Sequence, residues 1–422
     1  MKHILPTLIT GACMLLVSIG FSQSYVHQVL VLNEGYFNYS TSTIETPVTV
    51  GSYDPATHVY QTVNTITGAR FASDMIIHND SYYVAADSKI IKFDLNTHMP
   101  LAEANCIGVR NLAVHNNMII ATRGEYLLNL DSHLQIFNAD DLSLIMSYNT
   151  TDGPQYPAQN IIVHNGVAYI AVNNAYDFGN EVGRIGQLDL NTLAYGNEID
   201  LGEDGKNPDN MVLFGNDIIT VNNLDWTGAS ISRISTLDNT WENHPISFAT
   251  SGCGTSALNE EKLMFQISMD TVLRTLDLNT MTEAEAPGAP QIPYYELAKE
   301  PINGFIYASE TDYFSFGKVY ILSAQYQITE IFETGISPGT IVFDIRSSLG
   351  IHENDQSLFA YPNPANDYII FHAQPFDRYS IFDLTGKEVL NGFGNRVQIQ
   401  SLNEGIYFLN SENGSTRFTV HH

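Results

Sequence analysis

The sequence predicts an all-β chain, a seven-bladed β-propeller followed by a small antiparallel β-sandwich. Three observations predict it. A strand–turn–strand phrase built on Asp or Asn recurs every 40 to 50 residues or so, the span of a four-stranded blade. The first repeat lacks a first strand, and the last segment lacks a second, so each end supplies what the other needs. Roughly the last 65 residues abandon the repeat for short strands between Pro-Asn-Pro, Thr-Gly and Asn-Gly breakers.

The chain of 422 residues carries 46 acidic against 18 basic side chains, and 44% of it is hydrophobic. That composition supports a sizeable core. A net charge of −28 repels phosphate backbones, which excludes nucleic acid as the expected partner. Three cysteines exclude a disulfide-stapled scaffold. Residues 1–22 read as a secretory signal: Lys2 is the positive start, Leu5 to Phe21 is mostly apolar, and Gly20 and Ser22 precede a cleavage point at Gln23. Thr10 stands where a lipoprotein signal would place a Leu-like residue before Cys13. No other stretch is long and apolar enough to span a membrane, so a soluble mature protein is expected. Cys106 and Cys253 then remain, about three blades apart, as two free and mostly buried thiols.

The repeated phrase reads Ser52-Tyr-Asp-Pro-Ala-Thr57, Lys92-Phe-Asp-Leu-Asn-Thr97, Ile136-Phe-Asn-Ala-Asp-Asp141, Gln187-Leu-Asp-Leu-Asn-Thr192, Ser235-Thr-Leu-Asp-Asn-Thr240 and Thr275-Leu-Asp-Leu-Asn-Thr280. A degenerate seventh copy is Tyr320-Ile-Leu-Ser-Ala-Gln325. Counted on Asp54, Asp94, Asp140, Asp189, Asp238, Asp277 and Ser323, these define seven blades. An Asp or Asn followed by Thr bonds its own turn, so the residue choice is structural. Upstream lies a second phrase, two apolar strands around a tight turn, as in Met75–Val84, Leu112–Ile120 and Ile161–Ile170. His78, His115 and His164 share one position of that turn, and a ring spreads them apart rather than gathering them on a metal.

Val29–Leu32 matches a second strand and Gly339–Asp344 a first strand. Pairing them closes the ring and removes bare sheet edges. Residues 25–346 are therefore expected to form one propeller. Its opening Val29-Leu-Val-Leu-Asn-Glu-Gly35, its Asp-Leu-Asn-Thr turns and its closing Gly335-Ile-Ser-Pro-Gly-Thr340 resemble the YncE-like bacterial surface propellers. The resemblance implies an extracytoplasmic location and an accessory part in outer-membrane nutrient uptake, corrinoid uptake included.

Residues 347–357 read as a linker and residues 358–422 as the sandwich. Within it, Leu358-Phe-Ala-Tyr-Pro-Asn-Pro, Tyr379-Ser-Ile-Phe-Asp-Leu-Thr-Gly-Lys and Leu402-Asn-Glu-Gly-Ile-Tyr resemble, in that order, the type A C-terminal sorting domain of the type IX secretion system. That implies passage through the periplasm to the cell surface, with the secretion machinery as partner. The ending Arg417-Phe-Thr-Val-His-His422 departs from the lysines common in that family.

In a propeller, loops between the second and third strands share a face with the connections into each inner strand. Here those loops are aromatic-rich: Tyr36, Phe37, Tyr39, Tyr126, Tyr176, Phe178, Trp226, Tyr313, Phe314 and Phe316. The residue opening each inner strand is polar throughout (Asp74, Asn111, Asn160, Asn210, Thr255, Glu296, Thr340), which reads as local backbone satisfaction. One residue earlier stand Ser73, Arg110, Gln159, Asp209, Gly254, Tyr295 and Gly339, a set that symmetry does not explain. The expected ligand site therefore comprises Arg110, Gln159, Asp209 and Tyr295, with Arg70 and Tyr156 nearby and Tyr36, Tyr176, Trp226 and Tyr313 as a stacking rim. Arg70 and Arg110 suit a carboxylate or phosphate.

No phosphate loop, His-Glu-x-x-His helix, Gly-x-Ser-x-Gly elbow or paired-cysteine metal site occurs. The acidic stretch Asp200–Asp209 misses calcium-loop spacing. No catalytic residue, metal or cofactor is assigned. The expected function is binding without catalysis, of a small molecule, corrinoid or glycan, beside an outer-membrane transporter. A propeller lyase or lactonase and an adhesion or surface-layer protein are the alternatives.

Overall fold

The computed structural model describes residues 23–126, 128–246, 254–267, 270–348, 360–371, 378–411 and 414–422. The signal segment, Cys253 and most of the linker lie outside them. One compact unit runs from Tyr25 to Arg346. Gly254–Asn259 shows the period-two burial of a strand with one covered face, and Ser81–Ala86 is buried throughout, as sheets stacked face to face require.

Seven sheets form the blades of this unit among the described residues, beside a two-stranded ribbon of Tyr36–Asn38 and Thr43–Thr46, and six of the seven follow chain order as antiparallel meanders. Their inner strands are Pro338–Ser348, Asp74–His78, Val109–His115, Ala158–His164, Pro208–Phe214, Gly254–Asn259 and Tyr294–Lys299, for blades one to seven. Blade one is composite: Pro338–Ser348 pairs with Gln23–Asn33, which pairs with Val48–Asp54 and then Val59–Ile66. The ring is thus sealed by its two ends, as the incomplete repeats require. In blade four the outer strand is broken into Ala194–Tyr195 and Ile199–Asp200, both on Arg184–Asp189.

The Asp turn joins the third strand to the fourth. Asp54 Oδ1 accepts the amides of Ala56 and Thr57, and Asp94, Asp189 and Asp277 repeat the pattern. The residue that ends each turn is left-handed without being glycine: His58, His98, Leu142, Leu193, Asn239, Met281 and Tyr326 have φ of 59, 57, 57, 57, 61, 52 and 64°. Such a conformation costs about 1–2 kcal/mol for an L-residue, which the side-chain bonds offset. This geometry corrects the frame in two blades. The turn-opening oxygen belongs to Asn138 rather than Asp140, and to Ser235 rather than Asp238, because Leu142 and Asn239 bond back to those residues.

The turn also latches blades together. Leu95, Ala139, Leu190 and Leu278, each just after a turn-opening residue, are buried against the preceding blade. The carbonyls of Leu95, Ala139, Leu278 and Ala324 accept bonds from that blade's Gln28, Tyr83, Arg233 and Asn259 at 2.9, 2.7, 2.7 and 3.3 Å. Tyr53 of blade one stacks on Phe332 of blade seven at 4.2 Å, so the seam is packed like the rest. Cys106 is a buried free thiol.

The second unit contains residues 347–422. It carries a three-stranded sheet (Ala360–Tyr361, Tyr368–Phe371, Arg396–Gln398) and a four-stranded one (Glu388–Phe393, Arg378–Phe382, Gly405–Ser411, Gly414–Val420). Both contribute to one core around Ile369, Phe371, Ile381, Leu409 and Phe418. Among the described residues, no helix is long and apolar enough to cross a membrane.

Leu30 is fully buried in blade one, whereas Leu237 is 76% exposed. Leu30→Ala is expected to cost about 2–5 kcal/mol in urea unfolding, and Leu237→Ala less than about 0.5. Tryptophan fluorescence reads this directly, because Trp226 and Trp241 both lie in the propeller.

Candidate functional site

The site is built where the inner strands begin. Polar side chains there tie neighbouring blades. Asp74 Oδ2 accepts the Leu112 amide at 2.7 Å, Thr255 Oγ1 accepts the Leu297 amide at 3.0 Å, and Asn210 Nδ2 donates to the Gly254 carbonyl. Ser73 Oγ likewise donates to the Arg110 carbonyl at 2.6 Å.

Arg110, Gln159 and Tyr176 form one group. Arg110 Nε donates to Gln159 Oε1 at 3.3 Å, and Gln159 Nε2 donates to the Tyr176 hydroxyl at 3.2 Å. The Arg110 guanidinium lies 5.5 Å from the Phe71 ring and 5.4 Å from the Tyr176 ring. Gly124 makes room for Tyr176, since a Cβ there would fall 2.5 Å from its Cε2.

Tyr295 belongs to a second group that sequence reasoning missed. Its hydroxyl donates to Glu34 Oε1 at 2.7 Å. Glu34 follows the strand that seals the ring, and its amide bonds the Ser337 carbonyl. Opposite lies Gly339, where a Cβ would sit 2.1 Å from Glu34 Oε1. Gly339 shares its register with one other glycine, Gly254, so a glycine there does not by itself point to Glu34. Glu296 adds a further carboxyl, bonded by Thr255 Oγ1 at 3.2 Å.

Glu34, Asp74 and Asp209 lie close enough to Glu296 for their charges to act on it. Burial pushes Glu34 up to about 7, against the Tyr295 hydroxyl and the Arg110 charge. Burial pushes Glu296 up to about 8, and the charges of Asp74, Glu34 and Asp209 add to it. Asp74 rises to about 6 through burial, and Asp209 rises for the same reason although Arg110 and Asn223 oppose it. Each keeps a partial path to solvent, but protein surrounds it on its other sides and strips most of its water.

Two expected residues stand apart from this group. Arg70 is already held by two carboxylates: its Nε and Nη2 donate to Asp87, and its Nη2 also donates to Glu125 at 2.7 Å. Its charge is therefore spent within the fold. Tyr156 packs beside the Arg184 guanidinium at 5.3 Å, and Arg184 pairs with Glu198 at 2.9 Å.

The loop aromatics form two arcs. Tyr126, Phe178 and Trp226 run across blades three to five, with centroid spacings of 6.3 and 6.1 Å. Buried Glu181 fixes this arc, accepting from the Trp226 indole N–H at 3.1 Å and from the Gly179 amide. Tyr313 meets Tyr295 edge-on at 5.5 Å, and Tyr36 meets Phe314 at 5.3 Å, across blades seven and one. His78 and His164 each bond the next Asn side chain.

Residues 360–421 match the family described as the secretion system C-terminal sorting domain. This tail marks the protein for export, to the cell surface or beyond it. No curated protein matches the sequence. Among solved structures, the chain is similar to the extracellular domain assigned to a one component system of B. thetaiotaomicron (12% identity, TM-score 0.52, 93% of this chain covered). It spans 57% of the length of that chain. It is also similar to the dihydro-heme d1 dehydrogenase NirN (13%, 0.51, 89% of this chain and 76% of that one). A Bacteroides fragilis protein assigned as a 6-phosphogluconolactonase is a third (10%, 0.53, 75% and 98%). At such identities the likeness is one of fold, an all-β propeller-type architecture.

A carboxyl whose value is raised by folding lends stability that is complete below its unfolded value and lost as pH rises through its folded one. The exposed turn aspartates, such as Asp94 and Asp277, are lowered by backbone bonds and lose their contribution in acid. The melting temperature is therefore expected to peak at about pH 4 and to fall from there up to about pH 8, the window between the unfolded and folded values of Asp74, Glu34 and Glu296. Glu34→Gln and Glu296→Gln should each flatten that fall, which calorimetric melts across pH will read.

Proposed function

We propose that this protein is a cell-surface propeller of the YncE-like kind that captures a ligand at the channel mouth without transforming it. Its place is that of an accessory to outer-membrane nutrient uptake, with a small molecule such as a corrinoid, or a glycan, as ligand. One observation carries the reading. The blades are alike in their turns, yet at the channel mouth they present Arg110, Gln159, Asp209, Tyr295 and Gly339, each different in charge and shape. A repeat conserves what its packing needs, so the divergent register is where an asymmetric ligand would be read.

The surroundings support capture. Aromatic faces on two arcs suit a planar ring system or the apolar face of a sugar. Trp226 is held through its indole N–H, which leaves the ring ordered before any ligand arrives and lowers the entropic cost of binding. The sorting tail supports display outside the cell, where such a site meets its ligand.

One observation favours a second reading, a lyase or lactonase. A carboxyl raised to about 7 and bonded by a tyrosine hydroxyl, as Glu34 is, suits proton transfer near neutral pH. The two readings separate by outcome. Corrinoids, haem and oligosaccharides are to be screened against the purified protein by thermal shift and calorimetry. Capture is expected to give saturable binding that Trp226→Ala or Arg110→Ala weakens by at least about tenfold. Consumption of a lactone or uronic polymer without stable binding would favour the enzyme, and binding only to other proteins would favour adhesion.

A further inference from the structure

The inference concerns the chemistry of the same channel mouth and rests on its being a ligand site. Among the described residues of the propeller, the other arginines are committed. Arg70, Arg184, Arg233, Arg274 and Arg346 face carboxylates, and Arg123 bonds the carbonyls of Ile107 and Ser132. Arg110 differs. Only its Nε is bonded, to neutral Gln159, and no carboxylate stands within salt-bridge distance among the described residues. The Phe71 and Tyr176 rings flank its guanidinium, while its two terminal nitrogens meet no acceptor among the described residues. In a chain of 46 acidic residues, an arginine placed this way keeps a planar pair of donors suited to an oxyanion.

The charges around it have a consequence for binding. Arg110 acts on Glu34 and on Asp209, and in each case its field favours the ionised carboxylate. An anion seated on the guanidinium cancels that field and adds its own repulsion. Both effects move a proton from solvent onto a carboxylate oxygen, with no other bond made or broken.

We propose that Arg110 seats an oxyanion of the ligand, carboxylate or phosphate-like, and that the channel takes up a proton as it does so.

The groups facing the two carboxyls are consistent with this. Glu34 meets Tyr295 and Glu296 from blade seven, Arg110 from blade three, and the backbone at Gly339 on the closing strand. Asp209 meets Asn223, Arg110, Tyr176 and Glu296. Asp74 acts on Glu296, and Glu125 acts on Tyr176 while bonding Arg70. Arg110 is thus the cation that faces both carboxyls, and its neutralisation is what they sense.

Benzoate and sulfate keep their charge from pH 6 to 8 and serve as probes of the two oxyanion classes. Titration calorimetry on the whole protein is expected to show affinity for at least one of them falling by up to about tenfold per pH unit over that range. The heat at pH 7 should differ between buffers of different ionisation enthalpy, a sign of proton uptake that needs no variant. Arg110→Gln should abolish binding, and Glu34→Gln combined with Asp209→Asn should leave binding but weaken its pH dependence. Affinity that is flat or rises with pH, or that survives Arg110→Gln, overturns the proposal. Neutral oligosaccharide bound at the mouth with no affinity for either anion overturns it too, while leaving ligand capture intact. No binding of any kind at the mouth removes both.

Discussion

The turn between the third and fourth strands of each blade is the constraint on which the rest depends. One oxygen, from Asp, Asn or Ser, gathers the turn's amides, and a left-handed residue then sends the chain back. The residue after that oxygen does a second job. In blades two, three, four and six its side chain enters the core of the blade before, and in blades two, three, six and seven its carbonyl accepts a bond from that blade. Local geometry and inter-blade packing are therefore specified by the same few residues. This is why a short phrase in the chain can prescribe a ring.

Because that scaffold is held at its periphery, the channel mouth is free to differ from blade to blade. The first polar residue of each inner strand still contributes to cohesion through Asp74, Asn210 and Thr255. One step earlier stands the divergent register proposed to read a ligand. The outcome is a group of mutually acting carboxyls with Arg110 beside it, whose guanidinium makes no salt bridge among the described residues. Burial keeps its carboxyls near neutrality in their titration, so their charge is set by what else enters.

Much of this was legible in the chain. Period, turn chemistry and the two half-repeats disclosed the sheets and their closure, because each is a local pattern with a fixed geometric meaning. The frame in blades three and five was misread, since Asp140 and Asp238 mimic the turn-opening residue at the wrong step. The divergence of Arg110, Gln159, Asp209 and Tyr295 could be read by comparing repeats. Glu34 could not, because it lies outside the repeated register and reaches the channel only through the seam. Nor could the burden already carried by Arg70: its partners Asp87 and Glu125 come from two different blades, and no spacing along the chain announces them. Glu181, which orders Trp226 from 45 residues away, escaped for the same reason.

The composite first blade has a kinetic consequence. Six sheets draw their four strands from contiguous stretches, so each can condense from neighbours in the chain. The sealing pair joins Gln23–Asn33 to Pro338–Ser348, the longest separation of any ladder in the unit. Loop-closure entropy is greatest there, and its reward is withheld until the intervening sheets have brought the ends together. The ring thus matures last at its seam. Until then Gln23–Asn33 offers an unpaired edge, and a nascent chain must be kept from annealing with its neighbours through it.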